Sequence, residues 1–230
     1  MKAQIVYIKG HSESEKQAQE ALKSFNKSNW EPYLYEGLTA ETVEKTDEFN
    51  FYNIVENSRL LSFKQDNYHK FLSKMSCAIN HVRFWKKVIE KKEPMAFIEH
   101  DSICTTSWDN VEFTDYLILN CEFVFRPPNK LGLIQFKDYE WPSFGLCPWP
   151  ENYPLKYRHE NLWKESDMAP GTAAYAITPD GAKKMLMAIA KYGIDQSDFM
   201  INSFNLKMEY LIPSPVKFNK INLSTSYGTL

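Results

Sequence analysis

Several features that would narrow the function of this chain are missing from it. The four cysteines, Cys77, Cys104, Cys121 and Cys147, show no Cys-x-x-Cys spacing, so we expect free thiols rather than a framework of disulfides or metal ligands. No apolar run is long enough to cross a bilayer or to form the core of a signal peptide. The sequence therefore predicts a protein of the cytoplasm, without a transmembrane segment.

An excess of charge of one sign is missing as well. The 230 residues carry 27 basic and 29 acidic side chains, which gives a formal charge of -2. Phosphate backbones and anionic lipids attract proteins with a large basic surface, so nucleic acid is a poor candidate partner. An apolar content of 43% and an aromatic content of 15% are sufficient for a full core. The length fits a single domain over residues 1–230.

The N-terminal part of the chain alternates β-type runs with helical patterns. The run "QIVYIKG" at 4–10 predicts a strand. Behind it, Ser12 and Glu15 have the spacing of a helix capping box. A second short strand is predicted at 30–37. Residues 40–72 are polar and aromatic without clean periodicity, which predicts helix fragments and loop.

The same alternation continues through the rest of the chain. The clearest helix is predicted from Ser76 to Lys92, where apolar residues recur at helical spacing. The run "MAFI" at 95–98 is too short for a buried helix and predicts a central strand. In the C-terminal half, "AAYAI" at 173–177 predicts another strand, followed by a helix that Thr178 can cap. This order predicts an α/β protein.

An acidic pair follows the predicted strand at 95–98. Ligands of open α/β sheets bind beyond the carboxyl ends of the strands, and the oxygens of Glu99 and Asp101 suit Mg²⁺ or Mn²⁺. Acidic pairs are also common in turns and at solvated strand ends. His100 could instead suggest zinc, but only Cys77 and His81 could supplement it, and such residues on an apolar helix face usually belong to the core.

Two further segments of the C-terminal half could contribute to a site. Gly171 and Thr172 precede a strand and either let the backbone approach a ligand closely or form an ordinary turn. Asp195 and Asp198 lie at the start of another predicted helix. Carboxylates at that position serve either as N-terminal caps or in catalysis.

Taken in order, these segments resemble glycosyltransferase family 25, the lipopolysaccharide-biosynthesis and procollagen-galactosyltransferase type. Residues 76–101, "SCAINHVRFWKKVIEKKEPMAFIEHD", are similar to the family's Gly-Cys-x-x-Ser-His helix, apolar strand and Glu-Asp-Asp motif. Residues 171–186, "GTAAYAITPDGAKKML", are similar to its Gly-Thr-x-x-Tyr-x-Ile segment, and 210–226 to its closing segment. The chain departs from the family pattern at His100, which replaces the middle acid, and at Asn80, which replaces a serine.

The resemblance implies a GT-A-type nucleotide-sugar-binding fold, with a central mostly parallel sheet flanked by helices. It implies inverting transfer of a sugar from a nucleotide-diphosphate sugar, with UDP-hexose as the expected donor, to a hydroxyl of a saccharide or glycolipid acceptor. Asp101 and Glu99 would bind Mn²⁺ or Mg²⁺, and Asp198, with Asp195 in reserve, would be the catalytic base. The residues expected around the donor are Tyr7, Lys9, Asn80, His81, Glu99, Gly171, Thr172 and Tyr175.

Two other functions remain open from the sequence. A sugar- or nucleotide-binding module could keep the fold and lose transfer, and His100 within the acidic motif motivates this alternative. A turnover assay with Mn²⁺ separates it from the enzyme. A glycosyltransferase that modifies nucleic acid is the other alternative, which the near-neutral charge supports poorly; salt-dependent binding of duplex DNA would identify it.

Overall fold

The computed structural model describes residues 1–121, 144–150, 153, 162–163, 165–168 and 171–219. The strands are β1 (Lys2–Tyr7), β2 (Glu31–Glu36), β3 (Met95–Glu99), β4 (Ser102–Cys104), β5 (Tyr116–Ile118), β6 (Gly145–Pro148), β7 (Ala174–Ile177), β8 (Met208–Ile212) and β9 (Val216–Phe218). The α-helices are α1 (Ser12–Asn26), α2 (Asp47–Phe51), α3 (Arg59–Asp66), α4 (Tyr68–Lys91), α5 (Pro179–Tyr192) and α6 (Ser197–Met200), with a short 3₁₀ helix at Val43–Lys45.

Seven of these strands form one mixed sheet in the order β2-β1-β3-β7-β5-β8-β6. Strands β2, β1, β3, β5 and β8 run in one direction, while β7 and β6 run antiparallel to their neighbours. Strands β4 and β9 pair separately. The prediction of an α/β fold with a mostly parallel central sheet is confirmed.

Helices cover both faces of this sheet, and the alternation of side chains along β3 shows how. Met95 and Phe97 belong to the core that includes residues of α4 and α5. Ala96 and Ile98 belong to a second core that includes residues of α1. All four side chains are almost completely buried. Since side chains of a strand point alternately to opposite faces, β3 is a central strand, as the run "MAFI" predicts.

The strand directions bring two distant segments to one edge of the sheet. Strands β1 and β3 both end there, at Tyr7 and Glu99. Strand β7 runs the other way, with Ala174 opposite Ile98, so its start lies at this edge. The Glu99 amide donates a hydrogen bond of 2.7 Å to the carbonyl of Ala173. The acidic pair after β3 is therefore adjacent to the segment that precedes β7.

Helix α1 begins differently from the prediction. Its N-cap is His11, whose Nδ1 accepts a hydrogen bond of 3.2 Å from the Ser14 amide. Ser12 is already the first helical residue, and the Glu15 carboxylate accepts a hydrogen bond of 2.8 Å from the Gly10 amide instead. The predicted capping box of Ser12 and Glu15 is wrong, because a histidine ring supplies the acceptor that a serine was expected to provide.

Helix α4 is two turns longer than the predicted Ser76–Lys92. It begins after Asn67, whose side chain accepts a hydrogen bond from a backbone amide of the first turn. Phe71 and Met75 are buried and extend the apolar stripe of the helix towards its start. Polar and aromatic residues around them hide this periodicity in the sequence. Among the residues that the structure describes, no helix is both long and apolar enough to span a membrane.

Candidate active site

A cavity of about 340 Å³ opens at the edge of the sheet where β1 and β3 end. The ends of these strands, the start of α1, the segment after β2 and one face of α4 form its walls. Predicted site residues that contribute to the wall are Tyr7, Asn80, Glu99 and Asp101. The acidic pair of the sequence thus faces a cavity large enough for a small ligand.

A smaller cavity of about 100 Å³ lies beside the first. Gly171, Thr172 and Asp198 are part of its wall. Cys77 and Glu99 line both cavities, so the two adjoin at these side chains. Gly171 has a φ of +80°, a conformation that glycine adopts without strain and that lets the chain turn into β7 next to Glu99.

The segment after β2 is held against the larger cavity by Asn80. The side chain of Asn80 accepts a hydrogen bond of 2.9 Å from the Leu38 amide and donates one of 3.2 Å to the Leu38 carbonyl. Gly37 permits this close approach, because a Cβ at its position would lie 2.8 Å from a methyl carbon of Val6. Asn80 is therefore both a wall residue and the anchor of the neighbouring wall.

Three carboxylates influence one another across the two cavities. Burial, and then the charges of Asp101 and Asp198, raise the pKa of Glu99 to about 8, against the opposing effect of Lys74. Burial raises the pKa of Asp101 to about 6. Burial also raises the pKa of Asp198, while Lys74 and the hydroxyl of Thr172 act in the opposite direction. A cation at this site would relieve the repulsion between these groups.

The acidic pair fits a hard divalent cation. Oδ1 of Asp101 is buried and has no hydrogen-bond partner among the residues that the structure describes. In the same part of the chain, no three His, Cys, Asp or Glu side chains converge on one point. Magnesium-type sites often use one or two carboxylates together with substrate phosphates and water, whereas zinc requires three or four protein ligands. The donor set of Glu99 and Asp101 fits Mg²⁺ or Mn²⁺ and does not fit zinc.

His81 and Tyr175 lie in the core and not on the wall of either cavity. His81 is 0% exposed and stacks on Phe97, with 4.1 Å between ring centroids. Its Nδ1 lies 2.9 Å from the hydroxyl of Tyr175, which also accepts a hydrogen bond of 3.0 Å from Trp85. Burial lowers the pKa of His81 to about 3, so the ring is neutral. This arrangement favours a structural role for both residues over the predicted contact with a donor.

Lys9 and Asp195 are not among the residues that line the two cavities. Lys9 is exposed and pairs with Glu36, with 3.2 Å between Nζ and Oε2. Asp195 is 1% exposed, and its Oδ1 accepts a hydrogen bond of 2.6 Å from Ser58 and one of 2.7 Å from the Gln196 amide. Asp195 therefore connects two loops, and the geometry leaves Asp198 as the better candidate for a base.

The sequence predicts only one of the cavity residues on one face of α4, Asn80. The others that line the larger cavity from this face are His69, Ser73, Ser76 and Cys77. The spacing of all five along α4 is i, i+4, i+7, i+8 and i+11, which places them on one side of a helix. This polar stripe beside the apolar one was visible in the sequence. His69 and Ser73 lie before the predicted start of the helix at Ser76, and Cys77 lies beside the apolar stripe, where a position in the core is the usual one.

A family model matches most of the chain. The model of glycosyltransferase family 25 (LPS biosynthesis protein) matches residues 13–201. The matched range includes Glu99, Asp101 and Asp198. The segment 210–226, which resembles the family's closing segment, lies beyond the matched range, and its residues 220–226 are outside the described residues. A comparison with curated proteins gives no match.

Proposed function

The chain belongs to glycosyltransferase family 25 and is a glycosyltransferase, and we propose that it transfers a hexose with inversion from a nucleoside-diphosphate sugar to a hydroxyl of a saccharide or glycolipid. The proposed donor is a UDP-hexose and the proposed fold type is GT-A. The observation that carries the proposal is the position of Glu99. It lies at the end of a central strand, with Asp101 on the wall of one cavity and Asp198 on the wall of the adjoining one.

The larger cavity is the proposed donor site. Its volume of about 340 Å³ is within the range typical of small-molecule sites, roughly 300–1,000 Å³. Tyr7 provides aromatic surface, and the backbone of the segment anchored by Asn80 provides polar groups. In the proposed orientation, the diphosphate of the donor lies near the acidic pair, and the hexose to be transferred points towards Glu99 and the smaller cavity.

Asp101 and Glu99 are the residues that would hold Mn²⁺ or Mg²⁺. Such a cation, when bound, would offset the negative charge that develops on the departing diphosphate. The buried Oδ1 of Asp101 supports this role, because a buried carboxylate oxygen without a partner is costly. The raised pKa of Glu99 supports it as well, since a nearby cation favours the charged carboxylate.

Asp198 is the proposed base. As the acceptor oxygen bonds to the anomeric carbon, the bond from that carbon to the diphosphate oxygen breaks, and the acceptor proton passes to the Asp198 carboxylate. A carboxylate at a helix start is usually a weakened base. Here the helix, α6, has only four residues. Burial is the largest influence on Asp198 and raises its pKa. A raised pKa makes the carboxylate a better proton acceptor.

The proposal is tested by turnover of nucleotide sugars in the presence of Mn²⁺, followed through release of the nucleoside diphosphate. We expect Asp101→Asn to abolish turnover while the protein stays folded, because the substitution removes charge and hardly changes shape. Asp180→Asn is the matched control, since Asp180 is exposed on α5 and pairs with Lys183. Near-normal turnover of Asp101→Asn would show that the metal assignment is wrong. Nucleotide binding by the wild type without any turnover would favour the binding-module alternative.

A further inference from the structure

Lys74 is a cation on the wall of the smaller cavity, where Glu99 and Asp198 are the acidic residues. Among the residues that the structure describes, it is the one lysine or arginine on the wall of either cavity. Its side chain is partly buried, and it makes no ion pair or hydrogen bond within the described part of the chain. Ordering a lysine side chain in this way costs conformational entropy. A lysine on the wall of a cavity that forms no ion pair or hydrogen bond with the described residues is suited to bind an anion.

The position of Lys74 indicates which substrate would supply that anion. Lys74 lines only the smaller cavity, together with Asp198. Inversion requires the diphosphate to leave on the side of the sugar opposite the base, so the diphosphate belongs on the side of Asp101. An anion that reaches Lys74 therefore belongs to the acceptor. In the proposed reaction the transferred sugar lies between the diphosphate and the anionic group of the acceptor.

The electrostatics of the smaller cavity lead to the same assignment. Glu99 and Asp198 both line it, and Lys74 lowers the pKa of both carboxylates. Without Lys74, an acidic acceptor would meet the Asp198 carboxylate with no cation on the wall of the smaller cavity to offset the repulsion. The volume of about 100 Å³ corresponds to about three water molecules at roughly 30 Å³ each. It accommodates a hydroxyl and one small substituent, with the rest of the acceptor outside.

We propose that Lys74 binds a carboxylate or phosphate group of the acceptor, so that the enzyme selects an acidic sugar over a neutral one. This inference rests on the proposed function. An ammonium that donates a hydrogen bond to an anionic oxygen forms a charge-assisted contact, which is stronger than a contact between neutral groups. The acidic substituent would thereby orient the neighbouring hydroxyl towards Asp198.

The test compares the binding of three acceptor probes by titration calorimetry, with UDP and Mn²⁺ present. The probes are methyl glucoside, methyl glucuronide and glucose 6-phosphate, and the last two distinguish a carboxylate from a phosphate. We expect the wild type to bind an acidic probe about tenfold or more tightly than the glucoside, and Lys74→Gln to lose this preference. Lys70→Gln is the matched control, because Lys70 lies one turn earlier on α4 and packs over the ring of Phe63, 4.5 Å from its centroid.

The proposal is overturned if the wild type binds the three probes equally or binds neither acidic probe. It is also overturned if Lys74→Gln keeps the preference and only shifts the pH profile of turnover, since Lys74 would then serve Asp198 alone. These outcomes are independent of the Asp101→Asn test. An enzyme that turns over nucleotide sugars but shows no acidic preference would refute the role of Lys74 and leave the proposed function intact.

Discussion

The raised pKa of Glu99 predicts that the stability of the folded protein depends on pH. Its folded-state pKa of about 8 lies above the ordinary value of 4.5 for a glutamate, so the folded protein binds the proton more tightly than the unfolded chain does. The stability from this group is present below about pH 4.5 and is lost as pH rises towards 8. We expect Glu99→Gln to raise Tm at pH 8.5 and to raise it less, or not at all, at pH 5. A thermal unfolding series without metal measures this difference. Equal effects at both pH values would contradict the buried position of the carboxyl group.

The proposed role of Asp198 as the base predicts how its replacement changes kcat. Removal of a general base typically costs a factor of about 10²–10⁴ in rate. We therefore expect Asp198→Asn to lower kcat by about a hundredfold or more and to leave nucleotide affinity nearly unchanged. Asp195→Asn is the informative comparison, because Asp195 is buried against Ser58 and should affect Tm more than kcat per folded molecule. If Asp198→Asn lowers Tm while turnover per folded molecule is retained, Asp198 has a structural role and is not the base.

The sequence identified some site residues for physical reasons and missed others for equally physical ones. Glu99 and Asp101 were predictable because a short apolar strand leads directly into them and strand ends of α/β sheets face ligands. Asn80 and His81 could not be distinguished in this way. They are consecutive residues of one helix, about 100° apart, and only the packing of α4 on the sheet decides which faces the cavity. Packing of this kind depends on contacts with Phe97 and Tyr175.

The link between helix α4 and the segment after β2 can be tested by removing one side chain. Asn80 joins α4 to the segment after β2 through two hydrogen bonds to Leu38. We expect Asn80→Ala to lower the free energy of unfolding by about 1–3 kcal/mol, because each bond contributes about 0.5–1.5 kcal/mol. We also expect weaker nucleotide binding, since the wall of the larger cavity loses its anchor. Calorimetric titration with UDP measures the second effect.

Ser73→Ala is the control for that experiment. Ser73 lines the same cavity from the same helix and is exposed, so its loss should affect stability little. If Asn80→Ala lowers Tm but UDP binds as tightly as before, the segment after β2 is not part of the nucleotide site.

The elements themselves were predicted better than their ends and directions. Thr178 caps α5, with its hydroxyl accepting a hydrogen bond of 3.1 Å from the Gly181 amide, as its position before Pro179 predicts. The antiparallel direction of β7 was not predictable from "AAYAI". A strand of small apolar residues fits either direction, and its pairing with β3 joins residues about 80 positions apart. Short-range patterns carry no information about such a pairing.

At the level of the whole molecule, the sheet explains why distant motifs form one site. Strand β7 lies between β3 and β5 and runs antiparallel to both. This arrangement sets Gly171 and Thr172 beside Glu99, and the short helix α6, which carries Asp198, lines the same cavity. The resemblance of the sequence to a family gave the motifs in order, and the fold supplies the distances between them. Neither local propensity nor charge could have provided those distances.

Ligand binding to the folded protein yields the last prediction. A ligand that binds only the folded state stabilises it by RT ln(1 + [L]/Kd), about 2.7 kcal/mol at a hundredfold excess over Kd. We expect UDP and Mn²⁺ together to raise Tm more than the sum of their separate effects, because the diphosphate would complete the coordination that two carboxylates begin. The rise should grow between pH 6 and pH 8.5, since a proton on Glu99, with its pKa of about 8, competes with the cation. Asp101→Asn should remove the part of the rise that depends on Mn²⁺ and keep the part due to the nucleotide alone. A rise that is independent of pH, or that persists in Asp101→Asn, would show that the cation binds elsewhere.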